Sequence, residues 1–269
     1  MIKQINDYKE FKRLFLIKFK NTLKNSPEFE QFIYKLLTYN VAYIVGGYLR
    51  DIINNKSSRD VDIITSADKD TLVNQIKSHN LNYKVNRHNG IKIILNGLEV
   101  DIWNINDNWA FRNKVVKFKT LNSVSDIEDK KILEKIANGC FYNYDSIVLN
   151  IQTLNLHAQN YNKLAKSNKL DILQKHYLYQ KRNHTIEANI LRAFYLHIKF
   201  NIDFSDNCNR YIKLMLAKIK DEGKDPQQKL GKYLIQYPKY ADYLNEANIN
   251  NLIIKFTQRT NSPQKSFDF

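Results

Sequence analysis

Cysteine is scarce in this sequence of 269 residues, which contains only Cys140 and Cys208. Two cysteines so far apart exclude a disulfide framework and a cysteine-based zinc site, which favours a reducing compartment. The sequence also lacks an apolar run long enough to cross a bilayer, and its first residues lack the apolar core of a signal peptide. We therefore expect a soluble, cytoplasmic protein.

Acidic residues are few compared with basic ones: 27 Asp and Glu stand against 42 Lys and Arg, for a net charge of +15. The excess is +9 in residues 160–269 and +6 in residues 1–159. Such a charge predicts a polyanionic partner, RNA above all, and the 17 Tyr and 14 Phe offer surfaces on which bases could stack. Lysine and asparagine richness is also typical of AT-rich genomes, so composition alone does not identify the partner.

Two of the seven glycines are adjacent, at Gly46-Gly47, within the stretch YIVGGYLRDIINNKSSRDVDIIT that spans residues 43–65. They follow a predicted strand, Ala42–Val45, and precede a predicted short helix. Residues without Cβ let the backbone approach a phosphate, and the N–H groups at a helix start favour an anion. This pattern predicts a phosphate-binding turn, although a lone glycine pair is more often only a turn.

A second predicted strand in this stretch carries Asp60 and Asp62. Because side chains alternate along a strand, the two carboxylates share one face and Val61 points away. Oxygen ligands on one face suit Mg²⁺ together with bound phosphates. A lone Asp-x-Asp is usually a solvated strand end, but its proximity to the glycine pair makes the combination more specific.

A third carboxylate is expected from a later strand. The pattern predicts a helix over Lys69–Ser78 and strands over Tyr83–His88, Ile91–Leu95 and Leu98–Ile105, separated by Asn-Gly pairs typical of hairpins. The last strand presents Glu99 and Asp101 on one face. We favour Asp101, because it lies deeper in the strand, and Glu99 is the alternative.

Three carboxylates suit in-line nucleotidyl transfer with two Mg²⁺ ions. One ion can lower the pKa of an attacking hydroxyl, and the second can neutralise the triphosphate and the leaving pyrophosphate. Asp60, Asp62 and Asp101 would then be metal ligands, and the protein would mainly position charges.

In order and spacing, these residues resemble the GGxxRD…DxD head of the class II nucleotidyltransferases, which comprise bacterial poly(A) polymerases and CCA-adding tRNA nucleotidyltransferases. The matching positions are Gly46, Gly47, Arg50, Asp51, Asp60 and Asp62. The resemblance implies an α+β fold, with a head of mixed or antiparallel sheet and flanking helices followed by an α-helical neck and body. It also implies an NTP substrate, Mg²⁺ and an RNA acceptor.

Two later segments resemble other elements of that family, with departures. CFYNYDSIVLN places Asp145-Ser146 where relatives carry Asn-Ala, and Cys140-Phe141 where they carry Arg-Asp. LRAFYLHIKFNIDF resembles the neck helix, with Arg192 matching. Relatives read the incoming base with charged residues at positions that here hold Thr185, Ile186 and Asn189. The nucleotide-binding residues implied are Gly46, Gly47, Arg50, Arg59, Asp145, Asn189 and Arg192, with Asp51 a weaker assignment.

The second half reads as helical. Helices are predicted at Gln174–Lys181, Ile186–Phe200, Tyr211–Lys220, Gln228–Ile235 and Ala247–Gln258, and an amphipathic helix is predicted at the N-terminus. We expect a catalytic head over residues 1–159 and a helical, RNA-binding neck and body over 160–269, although no linker marks the boundary.

The sequence thus predicts an Mg²⁺-dependent nucleotidyltransferase that extends an RNA 3′ end, most plausibly that of a tRNA or another structured RNA. Two alternatives remain: transfer of a nucleotide to a small molecule or protein, and a non-catalytic RNA-binding module built on a degenerate head. The intact set of three carboxylates argues against degeneracy, and the basic helical half argues for RNA.

Overall fold

A computed structural model describes residues 2–86, 90–95, 97–107, 126–174 and 186–257. Contacts divide the chain into two units, each described here by itself. The head unit contains the described residues up to 168 together with 172–174, and the helical unit contains residues 169–171 and 186–257.

Two antiparallel-spaced apolar stripes build the N-terminal helices of the head unit. Helix α1 (Tyr8–Lys24) begins at Asp7, whose carboxylate accepts hydrogen bonds from the amides of Lys9 and Glu10. Helix α2 (Pro27–Tyr39) begins with proline at its first position, where no amide donor is needed. Each helix buries one face, α1 through Phe11, Phe15, Phe19 and Leu23, and α2 through Phe29, Phe32, Ile33 and Leu36.

A mixed sheet forms the centre of the head. Its strands are β1 (Ala42–Val45), β2 (Asp60–Thr65), β3 (Tyr83–Val85), β4 (Ile91–Leu95), β5 (Leu98–Asn104), β6 (Val148–Asn150) and β7 (Leu156–His157). Among the described residues the order is β3-β4-β5-β2-β1-β6-β7. Strands β2 and β5 pair in parallel, whereas the other neighbours are antiparallel. The parallel pair brings distant carboxylates side by side.

Short helices and tight turns connect these strands. Helix α3 (Gly47–Ile53) joins β1 to β2 and packs on α1, and helix α4 (Lys69–Ser78) follows β2 and packs on α2. Gly97, in the turn between β4 and β5, has a φ of +77°, a conformation that favours glycine. At Gly90 a side chain would collide with the indole of Trp103, so the close approach of the hairpin needs glycine there.

The rest of the head consists of helix α5 (Asp126–Gly139), a 3₁₀ turn (Asn143–Asp145), β6, β7 and helix α6 (Gln159–Ser167). Helix α5 packs against β6 and β7. Its Asp129 is fully buried and accepts hydrogen bonds from Tyr43, Asn150, Thr153 and Asn155. These donors offset the cost of burying the charge, so the carboxylate fastens α5 to the turn between β6 and β7.

The helical unit contains helices α7 (Ile186–Phe200), α8 (Asp206–Asp221), α9 (Pro226–Leu234) and α10 (Glu246–Thr257), and a 3₁₀ turn, Pro238–Tyr240. Strands β8 (Lys169–Leu170) and β9 (Asp203–Phe204) pair in parallel beside them. The helices meet through buried apolar faces; for example, the rings of Phe194 and Phe256 stack with centroids 6.0 Å apart.

The α+β prediction is confirmed: a mixed sheet with flanking helices is followed by a helical region. The helix predicted over Lys69–Ser78 and that over Ile186–Phe200 have the bounds expected. Contacts place α6 in the head unit, although a boundary after residue 159 would assign it to the body. Residues 175–181 of the helix predicted at Gln174–Lys181 lie outside the described residues. Within the described part of the chain, no helix has the length and apolar character that a membrane span requires.

Candidate active site

Carboxylates of two neighbouring strands form the centre of the site. In the parallel register of β2 and β5, Asp60 is the partner of Glu99, and Asp62 is the partner of Asp101. Val61 and Val100, between them, are buried in the core. The four acidic side chains therefore stand on one face of the sheet, where Asp60 is 38% exposed and Asp101 is 18% exposed.

The potential at this face is strongly negative. Burial raises the pKa of Asp62 to about 7, and the charges of Asp60, Asp101 and Asp145 raise it further, whereas Arg50 opposes the shift. Burial also raises the pKa of Asp101, against the influence of Lys92. A divalent cation would favour the ionised form of these carboxylates.

Lys92 on β4 distinguishes the two acidic residues of β5. Its ammonium lies 2.6 Å from Glu99 Oε2 and 3.5 Å from Asp101 Oδ2. The hydrogen bond from Lys92 lowers the pKa of Glu99, whose side chain is 54% exposed. Glu99 is thus engaged at the outer end of the strand, and Asp101 lies opposite Asp62. This arrangement favours Asp101 as the third ligand, an assignment that stays a prediction.

The glycine pair lies beside these carboxylates. Gly46 has a φ of +71° and donates its amide to the carbonyl of Ile147, at 2.9 Å, so that amide is engaged within the fold. A Cβ at position 47 would lie 3.6 Å from Asp60 Oδ1 and 3.7 Å from Arg50 Nη2. The backbone at Gly47 therefore passes between the acidic centre and a guanidinium, which is the place expected for a triphosphate-binding turn.

Arg50 is held in position by the 3₁₀ turn. Its Nη1 donates to Asp145 Oδ1 at 2.8 Å and to the carbonyl of Tyr144 at 3.1 Å. The guanidinium also lies over the Tyr144 ring, 4.1 Å from its centroid, and its side chain is 13% exposed. The sequence marked Arg50 and Asp145 as separate nucleotide-binding residues, and no local signal indicated that they pair.

Two further predicted residues lie at the loop before β2. Asp51 Oδ2 accepts a hydrogen bond from the hydroxyl of Ser58 at 2.8 Å, and its carbonyl accepts one from the amide of Lys56. Asp51 therefore orders the loop that leads to Asp60. Arg59 is mostly exposed, and its Nε lies 3.5 Å from Asp60 Oδ2.

The remaining predicted nucleotide-binding residues, Asn189 and Arg192, belong to the helical unit, and Thr185 lies outside the described residues. The Asn189 amide lies 3.4 Å from the hydroxyl of Tyr211, within the same unit. Their contact with a nucleotide stays a prediction.

The donor set suits a hard cation, since it consists of carboxylates that raise one another's pKa. Across the described ranges, however, no three His, Cys, Asp or Glu side chains converge closely enough to form a closed metal cage. Mg²⁺ commonly keeps several waters and completes its shell with substrate phosphates, so an open carboxylate face is compatible with it.

Residues 42–146 match a known family, the Poly A polymerase head domain. The match includes the glycine pair, the carboxylates of β2 and β5, and Asp145. This segment is therefore a class II nucleotidyltransferase head domain, of a divergent kind. A comparison with curated proteins finds no match to the chain.

Solved structures share the fold. The chain is similar to a CCA-adding enzyme in complex with ATP, with a TM-score of 0.60 and 16% identity over 91% of this chain and 54% of that one. An apo form of a CCA-adding enzyme gives 0.61 and 17% identity over 91% and 53%. A tRNA nucleotidyltransferase complexed with a primer tRNA and an incoming ATP analog gives 0.53 and 17% over 81% and 57%. The chain thus spans about half the length of the structures it matches.

Proposed function

We propose that this protein is an Mg²⁺-dependent nucleotidyltransferase that adds one or more nucleotides from an NTP to the 3′ end of an RNA, a tRNA or another structured RNA. The observation that carries the proposal is the placement of Asp62 opposite Asp101, next to Gly47 and the fixed guanidinium of Arg50. The reduced cysteines accord with a cytoplasmic location, which we also propose.

The chemistry is an in-line displacement. The 3′-hydroxyl oxygen of the acceptor forms a bond to the α-phosphorus, the bond from that phosphorus to the bridging oxygen breaks, pyrophosphate leaves, and the hydroxyl proton passes to solvent. Asp60, Asp62 and Asp101 would hold Mg²⁺, which when bound lowers the pKa of the hydroxyl and neutralises phosphate charge. Arg50 is positioned to offset charge on the triphosphate, and its two fixed contacts reduce the entropy lost on binding.

RNA is the acceptor class that the charge favours. The net charge is +15, and the excess is denser in residues 160–269 than in the head. The solved structures of similar fold include proteins described as CCA-adding and tRNA-processing enzymes. Transfer to a small molecule or a protein remains the alternative acceptor chemistry that the assay below must distinguish.

We expect nucleotide choice to be looser than, or different from, that of a CCA-adding enzyme. A paired guanidinium and carboxylate rejects the wrong base because its charged groups would be left unpaired. This chain instead holds Ile186 and Asn189 at the corresponding positions. A neutral amide offers less discrimination, and Arg192 is the nearest charged group in the sequence of α7.

The experiment is incubation of the purified protein with an RNA pool, Mg²⁺ and each labelled NTP in separate reactions, followed by denaturing gels. We expect label at RNA 3′ ends with one or more NTPs, and release of pyrophosphate. Label on protein or on small molecules, with none on RNA, would assign another acceptor. Ordered addition of two cytidines and one adenosine would contradict the expectation of altered nucleotide choice. The absence of any transfer would contradict the enzymatic proposal itself.

A further inference from the structure

A small cavity lies in the head unit away from the carboxylates, between the start of α1, helix α5 and the edge strand β7. Its volume is about 140 Å³. The residues that line it share a polar rim over an apolar floor: Tyr8, Lys12, Lys130, Leu133, Asn155, Leu156 and His157. Strands β6 and β1 separate β7 from β2. With neighbouring strands roughly 5 Å apart, the two sites are roughly 14 Å apart across the sheet.

Two cations contribute to this cavity. Lys12 and Lys130 both line it, and within the described ranges neither ammonium lies within 4.0 Å of a carboxylate. Nearby acidic groups are otherwise engaged: Asp129, next to Lys130 in sequence, is buried and saturated by its four donors. Two ammonium groups without a protein anion point to an external one.

The polar partners around the lysines are fixed in place. Asn155 donates its amide to Asp129 Oδ2 at 2.8 Å, which orients its side chain at the rim. His157 is anchored by the pairing of β7 with β6. Burial lowers the pKa of His157, against a small opposing influence of Glu134, so the imidazole is neutral at pH 7 and can donate one hydrogen bond.

The size of the cavity limits the ligand. A cavity of about 150 Å³ holds a single six-membered ring, and whole small-molecule sites usually exceed about 300 Å³. The space therefore admits one phosphate group with part of its attached sugar, and it does not admit a nucleoside triphosphate.

We propose that Lys12, Lys130 and His157 form a binding site for one phosphate group of a nucleotide, distinct from the carboxylate site. The phosphate is carried by a free nucleotide or by the backbone of RNA, and the two sources present the same chemistry to the two ammonium groups. The RNA source rests on the proposed function, whereas the phosphate site itself does not.

The test compares two charge-matched double variants of the full chain. Lys12→Gln with Lys130→Gln removes both cavity cations. Lys20→Gln with Lys131→Gln removes two exposed lysines from the same two helices without touching the lining. Both variants should keep the thermal midpoint of the parent, because neither loses a buried contact.

Inorganic phosphate and AMP are titrated while the imidazole resonance of His157 is followed by NMR, with His157→Gln used for assignment. We expect both ligands to shift that resonance and to raise its titration midpoint in the parent and in the control variant. The shift should be lost in the cavity variant. An unmoved resonance in the parent, or an equal shift in the cavity variant, would overturn the proposal.

The source of the phosphate is decided by the salt dependence of RNA binding. If the site holds RNA backbone, the log–log slope of the cavity variant should be shallower than that of the control by about one for the one phosphate lost. Equal slopes, with the phosphate response intact, would assign the site to a free nucleotide. If RNA does not bind the parent at all while phosphate still shifts His157, the RNA acceptor fails and the cavity site stands.

Discussion

Arg50 and Asp145 lie 95 residues apart in the sequence and are joined by a hydrogen bond of 2.8 Å between Nη1 and Oδ1. The contact ties the helix after the glycine pair to the 3₁₀ turn before β6. The guanidinium stacks on Tyr144 at the same time. Arg50 is thus fixed before any nucleotide arrives, and the charge of Asp145 is added to the acidic face around Asp62.

This pair should contribute to folding stability. Asp145→Ala leaves a mostly buried guanidinium without its ionic partner, so we expect the free energy of unfolding to fall by about 1–3 kcal/mol. Urea unfolding measures the change. Asp242→Ala, at an exposed position, is the control and should stay within about 0.5 kcal/mol of the parent. Equal stability of both variants would mean that the Arg50–Asp145 contact adds nothing measurable.

Gly47 should be needed for nucleotide binding and dispensable for folding. A Cβ there would meet Asp60 and Arg50 at ordinary contact distance, so Gly47→Ala should fold with an unchanged thermal midpoint. It should nevertheless raise the KM for NTP, because the methyl group occupies the space between backbone and phosphates. Gly47→Val should raise it further or abolish activity.

The control for that substitution is Gly231→Ala in α9, where a Cβ meets nothing within 4 Å. Since alanine favours the helix, this variant should gain about 0.5–1 kcal/mol with unchanged kinetics. If Gly47→Ala has the same KM as the parent, the glycine pair is only a turn.

Asp101 should matter more for transfer than Glu99. Asp101→Ala removes the carboxylate opposite Asp62, and we expect incorporation to fall at least tenfold, which is about 1.4 kcal/mol. Glu99→Ala removes an exposed ion pair with Lys92 and should leave most of the activity. Both are assayed across a range of Mg²⁺ concentrations. The reverse ranking would show that Glu99 reaches the metal.

Stability without metal should depend on pH through Asp62. Its pKa is near 3.8 when unfolded and about 7 in the fold, so the folded state binds the proton more tightly. Its contribution is therefore fully present below about pH 4 and is lost as pH rises through 7. In EDTA, Asp62→Asn should be more stable than the parent at pH 8 and similar at pH 4, as measured by thermal midpoints.

Asp68 provides a control of the opposite sign. Its carboxylate caps α4, and the hydrogen bond from the Thr71 amide lowers its pKa. Asp68→Ala should therefore cost about 1 kcal/mol at pH 8 and less at acid pH. A parent protein whose stability is the same at pH 4 and pH 8, or an Asp62→Asn variant less stable at pH 8, would contradict the assignment of Asp62.

Local patterns predicted most of the head. The alternation of Asp60 and Asp62 around Val61, and the glycine turns of the hairpin, depend on neighbouring residues and were readable from the sequence. The register that sets Asp62 against Asp101, the Arg50–Asp145 pair and the buried Asp129 network join residues far apart in the chain. No periodicity encodes such contacts, so only the folded structure could place them.

The account depends most on the carboxylate of Asp62, and single-turnover incorporation of a labelled NTP into an RNA 3′ end tests it most directly. The parent and Asp62→Asn are compared at saturating Mg²⁺ and NTP, after thermal unfolding has shown that both are folded. The account predicts label on RNA with the parent and a loss of at least tenfold, about 1.4 kcal/mol, with the variant. An Asp62→Asn variant that keeps more than about a tenth of the parent's rate would contradict it.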